Sequence, residues 1–198
     1  DTNDPLERSR IQRWTQQLLP LELQGTHIGP TRAHTTGRTT SLQFRALTAL
    51  FGHAGIEWDI SRCTPEELSL LRTWAGLYRE LRPLLHTGDL VHVDHPDADV
   101  LLTGVVSPER DQAVFLYARL DTSVAATGDR LRLEGLEDER HYTVAVRRDL
   151  GEPETIHVAP PPWLDTPVTL PGRVLRTTGL AAPQLLPQSA LLLEVRAT

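Results

Sequence analysis

Residues 25–60 read GTHIGPTRAHTTGRTTSLQFRALTALFGHAGIEWDI, and this stretch decides the fold class. Two short apolar runs, 23–28 and 55–60, enclose a polar loop and an apolar segment with helical spacing. Ser41 can cap that helix and Gly52 can end it. A strand, a loop, a helix and a second strand in this order are typical of an α/β fold.

Helices are predicted on both sides of this stretch. Asp4 followed by Pro5 marks an N-cap with proline at the first helical position. The apolar stripe that this first helix would bury consists of Leu6, Ile11, Trp14 and Leu18. Residues 64–67, Thr-Pro-Glu-Glu, form a capping box that begins a third helix, and we expect Pro83 to perturb its end. These helices extend the α/β pattern over the first part of the chain.

The second half of the chain has a different pattern. Short alternating or β-branched runs, separated by turn residues, predict an antiparallel β-sandwich. They lie at 90–93, 100–106, 113–120, 130–133, 142–146 and 191–195. Prolines at 160, 161, 162, 167 and 171 predict a long, poorly structured connection. We place the domain boundary near 86–89, which gives domains 1–86 and 87–198.

Composition excludes several classes of protein. A net charge of −6 with interspersed signs argues against a nucleic-acid partner, which would require a basic stripe. A single cysteine, Cys63, excludes an internal disulfide framework and favours a reducing compartment, hence the cytoplasm. No apolar run reaches the roughly 18–20 residues of a membrane span, so no membrane partner is expected. Because the chain begins with Asp and contains no methionine, we expect a piece of a longer polypeptide.

Four short motifs stand out by their order and spacing. They are Asp1 and Asp4 in DTNDPLERSRIQ, Gly25 with His27, Thr36-Gly37-Arg38, and Phe51, Gly52, Gly55, Glu57 and Asp59. Together they resemble the motifs of α-galactosidases of glycoside hydrolase family 36. A weaker similarity continues to the C-terminus. The resemblance implies that residues 1–86 are the C-terminal portion of a catalytic (β/α)8 TIM barrel, followed by the antiparallel β-sandwich domain.

The resemblance also implies a division of the active site. Asp1 matches the general acid/base of the family, whereas the nucleophile belongs to a Lys-Trp-Asp motif. All 20 residues in the Lys and Arg count are arginine, so no Lys-Trp-Asp motif occurs here. The family's glycine-rich galactose-binding segment is absent as well. We therefore expect this chain alone to be inactive. Asp4 is followed by Pro where the family often has Ala, and residues 25–29 read Gly-Thr-His-Ile-Gly, not Gly-Ala-His-Val-Ser, which leaves fine specificity open.

In a barrel of this kind, functional side chains lie at the carboxyl ends of the strands. The resemblance implies substrate contacts from His27, Arg38 and Asp4. Arg38 could equally pin its loop through an ion pair, and Asp4 could serve only as an N-cap. Asp59 could likewise be a cap, and the roles of Glu57 and Asp59 stay open. The eight histidines lack the spacing of a metal site, so we expect neither metal nor cofactor.

The implied reaction is hydrolysis, with retention, of terminal non-reducing α-D-galactosyl residues from oligosaccharides of the melibiose or raffinose type. A sister specificity, such as α-N-acetylgalactosaminidase or galactosyl transfer, is the alternative within this class. The alternative from another class is a non-catalytic carbohydrate-binding or structural piece. Besides α-galactosides, the expected partners are the missing N-terminal part of the same polypeptide and further copies in a homo-oligomer.

Overall fold

The computed structural model describes residues 2–123, 129–156 and 159–198. The chain forms two compact units, one of residues 1–86 with 149–151 and the other of residues 87–148 and 152–198. The predicted domains, 1–86 and 87–198, stay a prediction. Of the helices in the described part of the chain, none combines the length and the apolar character that crossing a bilayer requires.

The first unit alternates helices with two parallel strands, which confirms the predicted α/β architecture. Its elements are α1 (Pro5–Thr15), a 3-10 turn (Leu21–Leu23), β1 (Gly25–Ile28), α2 (Leu42–Thr48), β2 (His53–Ile56), a second 3-10 turn (Ile60–Arg62) and α3 (Pro65–Thr87). Strands β1 and β2 pair in parallel, with His27 opposite Gly55. Parallel strands joined by a crossover helix are the repeating unit of the barrel that the resemblance implies.

The predicted buried stripe of α1 is wrong. Leu6 is buried, but Trp14 is 73% exposed and Leu18 is 84% exposed. Leu6 and Ile11 are five positions apart, which places them about 140° apart around a helix of 3.6 residues per turn. The helix also ends at Thr15, before Leu18. The buried face of α1 is largely polar and consists of Pro5, Leu6, Arg8, Ser9 and Gln12.

The capping box of α3 is confirmed, whereas the effect expected of Pro83 is not. The backbone N–H of Thr64 donates to the Glu67 carboxylate at 2.9 Å, and the Glu67 N–H donates to the Thr64 hydroxyl at 3.2 Å. Helix α3 continues through Pro83 to Thr87. Proline removes its own N–H from the helix and crowds the carbonyl four residues earlier, but the buried side chains of Leu84 and Leu85 hold the last turn.

A glycine makes the sharp transition from α2 to β2 possible. Gly52 has a φ of +151°, and a Cβ there would lie 2.6 Å from the Thr26 methyl group and 2.9 Å from the Gln24 carbonyl oxygen. Only glycine fits so close an approach to a neighbouring backbone. Gly52 therefore sets where β2 begins, and so which residues follow the end of that strand.

The second unit is an antiparallel β structure, as predicted. Its elements are β3 (Asp89–Val93), β4 (Val100–Val106), β5 (Gln112–Arg119), β6 (Arg130–Leu131), β7 (His141–Arg147), a 3-10 turn (Pro162–Leu164), β8 (Val168–Pro171), α4 (Gly172–Thr177), β9 (Leu180–Ala181) and β10 (Ser189–Ala197). The main sheet has the strand order β3-β4-β5-β10-β7-β8, and a two-stranded sheet, β6-β9, accompanies it. The apolar core joins Phe115 and Leu193 of the main sheet to Leu131 and Leu180 of the smaller one.

The proline-rich region is more ordered than predicted. Strand β8, helix α4 and strand β9 all lie between residues 168 and 181. Pro171 ends β8, which pairs only with β7 and so forms an edge of the sheet. Proline is tolerated at such an edge because the missing N–H removes no bond to a second neighbour.

Candidate active site

The carboxyl ends of β1 and β2 bring two ionisable side chains together. The Nε2 atom of His27 lies 2.8 Å from a carboxylate oxygen of Glu57. No hydrogen bond of acceptable geometry joins these two atoms, so the contact is an ion pair only when the imidazole is protonated. The His27 side chain is 14% exposed and that of Glu57 is 58% exposed. The role of Glu57 was open from the sequence, and the parallel pairing of β1 with β2 places this residue beside His27.

The segment that follows Asp1 is fastened to the loop that precedes α2. Asp1 itself lies outside the described residues. The hydroxyl groups of Thr2 and Thr35 are 3.2 Å apart, and Thr35 also donates to the Asn3 amide oxygen at 3.5 Å. The Asn3 side-chain amide contacts His34 Nδ1. These side chains are more than 30 positions apart in sequence, so the contacts set the path of the backbone directly after Asp1.

Asp4 is the most heavily bonded residue of this segment. Its side chain is fully buried. One carboxylate oxygen accepts from the Leu6 N–H at 2.9 Å, which caps α1, while the other accepts from the Thr36 hydroxyl at 2.5 Å and from Arg38 Nε at 2.9 Å. Burial raises the pKa of Asp4, but the hydrogen bonds from Thr36, Arg38 and the helix amides outweigh it and hold the pKa below its usual value.

The structure therefore joins Asp4 to Arg38, and His27 to Glu57. Arg38 makes the loop-pinning ion pair that the sequence allowed, while its side chain stays 32% exposed. The capping role of Asp4 is also present, with Leu6 and Glu7 as donors. That His27, Arg38 and Asp4 contact a substrate stays a prediction.

Two buried arginines belong to this region, and the sequence pattern gave no signal for either. Arg45 donates to the Gly29 carbonyl at 2.5 Å and to the Thr31 hydroxyl at 3.1 Å, and it lies under the Trp58 ring at 4.9 Å from the centroid. It thereby anchors the loop after β1 to α2. Arg8, on α1, is 2% exposed, and its one hydrogen bond given by the structure goes to Thr48 at 3.4 Å.

Burial lowers the pKa of the Arg8 guanidinium to about 10, so the group stays charged at neutral pH. Among the described residues, its Nε and Nη1 donors meet no acceptor. The positive charge of Arg8 also acts on His27. Burial is the main cause that lowers the pKa of His27, Arg8 adds to it, and the negative charge of Glu57 opposes both. Near neutral pH the imidazole is therefore uncharged.

Asp59 acts locally, as a cap. It accepts from the Ser61 N–H at 3.2 Å and from the Ser61 hydroxyl at 2.6 Å at the start of the second 3-10 turn. Within residues 2–123, 129–156 and 159–198, no group of three or more His, Cys, Asp or Glu side chains could hold a metal ion.

The second unit contains an open cleft of about 930 Å³, lined mainly by apolar residues from 159–163 and 178–182. Trp163 borders it, but this side chain is only 8% exposed and its indole N–H donates to the Ala181 carbonyl at 2.9 Å. A tryptophan that binds a sugar presents the face of its ring, which this burial prevents. The polar constellation of the first unit is therefore the stronger candidate site.

Comparisons with known proteins point to one family along the chain. The Melibiase family model matches residues 1–88, and the model of the glycosyl hydrolase family 36 C-terminal domain matches residues 101–193. An α-galactosidase of Escherichia coli is 39% identical over 98% of this chain, which corresponds to 28% of the relative's length. A probable α-galactosidase G of Aspergillus terreus is 32% identical over 73% of the chain and 20% of its own length.

Solved structures agree. The α-galactosidase of Lactobacillus brevis superimposes with a TM-score of 0.83 at 27% identity, over 99% of this chain and 25% of that structure. A variant of the α-galactosidase AgaA of Geobacillus stearothermophilus, solved in complex with raffinose, gives a TM-score of 0.82 over the same shares of the two chains. At 24% identity, this second likeness concerns the fold alone. The chain thus spans 28% or less of the relatives described here.

Proposed function

Because the chain belongs to glycosyl hydrolase family 36 and matches the C-terminal part of its α-galactosidases, we propose that the complete encoded protein hydrolyses terminal non-reducing α-D-galactosyl residues. The proposed substrates are oligosaccharides of the melibiose and raffinose type, and the reaction retains the anomeric configuration. The α-galactosidases of Escherichia coli and Aspergillus terreus, 39% and 32% identical to this chain, support a galactoside as the substrate class.

The observation that carries the proposal is the polar site at the carboxyl ends of two parallel strands. His27 and Glu57 meet there, 2.8 Å apart. The segment directly after Asp1 is fastened by Thr35 and, through Asp4, by Arg38. Functional residues of a (β/α)8 barrel are held on such strand ends and loops. A hydrolase needs its acid/base on a backbone that does not drift, and the fastened segment would provide one.

Asp1 takes the role of general acid/base in this proposal. In the first step its carboxylic acid gives a proton to the glycosidic oxygen while a second carboxylate attacks the anomeric carbon and the C–O bond breaks. In the second step the Asp1 carboxylate removes a proton from water, and that water displaces the second carboxylate. Retaining enzymes hold the two carboxyl groups about 5–5.5 Å apart. We place the nucleophile in a part of the encoded protein that precedes Asp1.

The three predicted substrate contacts differ in how the structure presents them. Arg38, bonded to Asp4 through Nε and partly exposed, keeps donors that could reach a sugar hydroxyl. The His27 imidazole is less open but still reaches the surface at the strand ends. Asp4 is fully buried, so any effect on a substrate would pass through Arg38. A cytoplasmic location, favoured by the single cysteine, and a homo-oligomeric state are further parts of this proposal.

Replacing Asp1 in the complete encoded protein tests the proposal. General-acid assistance contributes about 10²–10⁴-fold, so Asp1→Ala should lose most of the rate on melibiose, whose leaving group is poor. A nitrophenyl α-galactoside needs little protonation and should still form the glycosyl-enzyme. Azide needs no general base, and its addition should therefore restore turnover and yield a galactosyl azide of retained configuration.

Asp59→Asn is the matched control, since it removes a carboxylate that serves as a local cap. It should leave both substrates unaffected. Equal losses on melibiose and on the nitrophenyl galactoside in Asp1→Ala, without an azide effect, would take the acid/base role from Asp1. A wild-type protein that cleaves no α-galactoside would refute the proposed function itself.

A further inference from the structure

The loop that follows β1 is a small hairpin, residues 31–40. The Ala33 N–H donates to the Arg38 carbonyl at 2.8 Å, and the Gly37 N–H donates to the Ala33 carbonyl at 2.8 Å. Ala33 is buried, whereas the tip of the hairpin, residues 34–37, is exposed. The hairpin therefore presents a polar tip, His-Thr-Thr-Gly, beyond the carboxyl end of β1.

The side chain of Asn3 sets the tautomer of the His34 ring at this tip. Asn3 is 4% exposed, and its amide nitrogen contacts Nδ1 of His34. Its amide oxygen accepts from the Thr35 hydroxyl at 3.5 Å, which decides which end of the amide faces the ring. An amide nitrogen can only donate, so Nδ1 accepts. In the neutral imidazole the proton therefore resides on Nε2.

The packing around Asn3 keeps this contact in place. A Cβ at Gly29 would lie 3.1 Å from both the Cβ and the carbonyl oxygen of Asn3, so a larger residue at this position would crowd Asn3. Arg45 donates to the Gly29 carbonyl at 2.5 Å and so holds the start of the loop against α2. Asn3 therefore lies against a fixed backbone, from which it can orient the His34 ring.

Nε2 of His34 is the polar atom of the tip that stays open to a ligand. The Thr35 hydroxyl donates to the Asn3 amide oxygen at 3.5 Å. The Thr36 hydroxyl donates to the Asp4 carboxylate at 2.5 Å. Among the described residues, none forms a hydrogen bond with Nε2 of His34. An N–H donor of this kind suits a sugar hydroxyl group, whose oxygen accepts hydrogen bonds.

We propose that His34 is a specificity-determining residue, whose Nε2–H donates a hydrogen bond to a hydroxyl group of the leaving sugar. This inference rests on the proposed function. An enzyme that removes a terminal galactosyl residue holds that residue innermost, and the rest of the oligosaccharide extends toward solvent. At the strand ends, His27 is 14% exposed and Asp4 is fully buried, whereas His34 lies on the exposed tip of the loop. His34 is therefore placed for the outer, leaving sugar.

The test compares His34→Leu and His34→Gln in the complete encoded protein, on melibiose and on a nitrophenyl α-galactoside. We expect His34→Leu to raise KM for melibiose about threefold to tenfold, the usual net contribution of one hydrogen bond, with kcat within about twofold. KM for the nitrophenyl substrate, whose leaving group has no sugar hydroxyl, should change by less than about twofold. Glutamine keeps an N–H donor, so His34→Gln should stay within about twofold of the wild type on both substrates. KM does not depend on the fraction of folded enzyme.

Two further variants separate this contact from a general effect of losing a histidine. His53→Leu is the matched control, because His53 is also exposed but begins β2, at the opposite end of the strand from the site. It should leave both KM values unchanged. Asn3→Leu removes the donor that sets the tautomer, so it should raise KM for melibiose by no more than His34→Leu does. No rise in Asn3→Leu would overturn the part given to Asn3.

Several results would overturn the role of His34 itself. Equal rises of KM on both substrates would assign His34 to the galactosyl group, and a lower kcat on melibiose at constant KM would assign it to protonation. A His34→Gln variant as impaired as His34→Leu would remove the donor role. If the wild type cleaves no α-galactoside, the proposed function fails and this inference fails with it. If it does and His34→Leu leaves KM for melibiose within about twofold, only this inference fails.

Discussion

Asp4 performs two tasks that two substitutions can separate. Its carboxylate caps α1 through the N–H groups of Leu6 and Glu7, and it binds Thr36 and Arg38 of the loop before α2. Alanine removes both tasks. Asparagine keeps an acceptor that is among the best N-caps but loses the charge that Arg38 requires.

The expected magnitudes follow from these contacts. Loss of an N-cap costs about 0.5–2 kcal/mol. Loss of the hydrogen bond from Thr36 costs about 0.5–1.5 kcal/mol. The ion pair with Arg38, which is partly exposed and therefore screened, contributes about 0.5–1 kcal/mol. Asp4→Ala should thus lower the local stability of α1 by about 1.5–4.5 kcal/mol, and Asp4→Asn, which keeps the cap, by about 1–2.5 kcal/mol, on the same scales.

Native-state hydrogen exchange at the α1 amides measures this local stability without requiring the two units to unfold together. The pH dependence provides a second readout. Because the pKa of folded Asp4 lies below its usual value of 3.8, its contribution is present above that pH and is lost as the pH falls through the lowered folded value. Asp4→Asn should lack this loss. Equal effects of the two substitutions, or a cost under about 0.5 kcal/mol for alanine, would refute the two-task account.

Three further outcomes are expected. The 198-residue chain alone should release no nitrophenol from a nitrophenyl α-galactoside. Closing the barrel takes eight strands, and the described residues of this chain contain only two of them. Measurable release would contradict this expectation. Limited proteolysis should leave a resistant fragment that starts near residue 87, because the first unit exposes Trp14 and Leu18; a resistant fragment of residues 1–86 would reverse the order of stability. Burial raises the pKa of Asp97, but hydrogen bonds from Ser123 and Arg119 lower it to about 2. The contribution of Asp97 to the stability of the second unit should therefore disappear as the pH falls from 4 to 2. In an acid titration followed by circular dichroism, an Asp97→Asn variant should not show this loss.

Local rules predicted the starts of the helices well. Ser41 accepts from the Phe44 N–H at 3.2 Å, and the Thr64–Glu67 box closes in both directions. Both depend on residues within three positions of each other, and such contacts can be read from the sequence. The antiparallel character of the second unit was also predictable. Short segments in which apolar and polar residues alternate, separated by turn residues, are compatible with few folds other than an antiparallel β structure.

The burial of α1 was not predictable from its apolar residues. The polar face of the helix is the buried one, and Arg8 lies within it at 2% exposure. Burying a guanidinium is unfavourable unless charges compensate it, so a sequence pattern assigns arginine to the solvent face. The compensating groups, Asp4 and Glu57, are 4 and 49 positions away, and only the fold brings Glu57 near.

The same long-range placement decides what Arg38 does. The sequence allowed a substrate ligand or a loop anchor, and the Thr-Gly-Arg motif alone could not choose between them. The structure places Arg38 Nε 2.9 Å from Asp4, 34 positions away in the chain. This bond does not exclude a sugar contact, because Nε is only one of several donors on the guanidinium fork. It does couple the two roles. A sugar that binds the remaining donors of Arg38 would also affect Asp4, and through Asp4 the start of α1 and the segment that follows Asp1.

An Arg38→Lys variant tests this coupling, because lysine keeps the charge but offers a single donor group. If the two roles are coupled, the variant should lower kcat on melibiose and also speed hydrogen exchange at the α1 amides. If Arg38 only binds substrate, the variant should raise KM and leave hydrogen exchange in α1 unchanged.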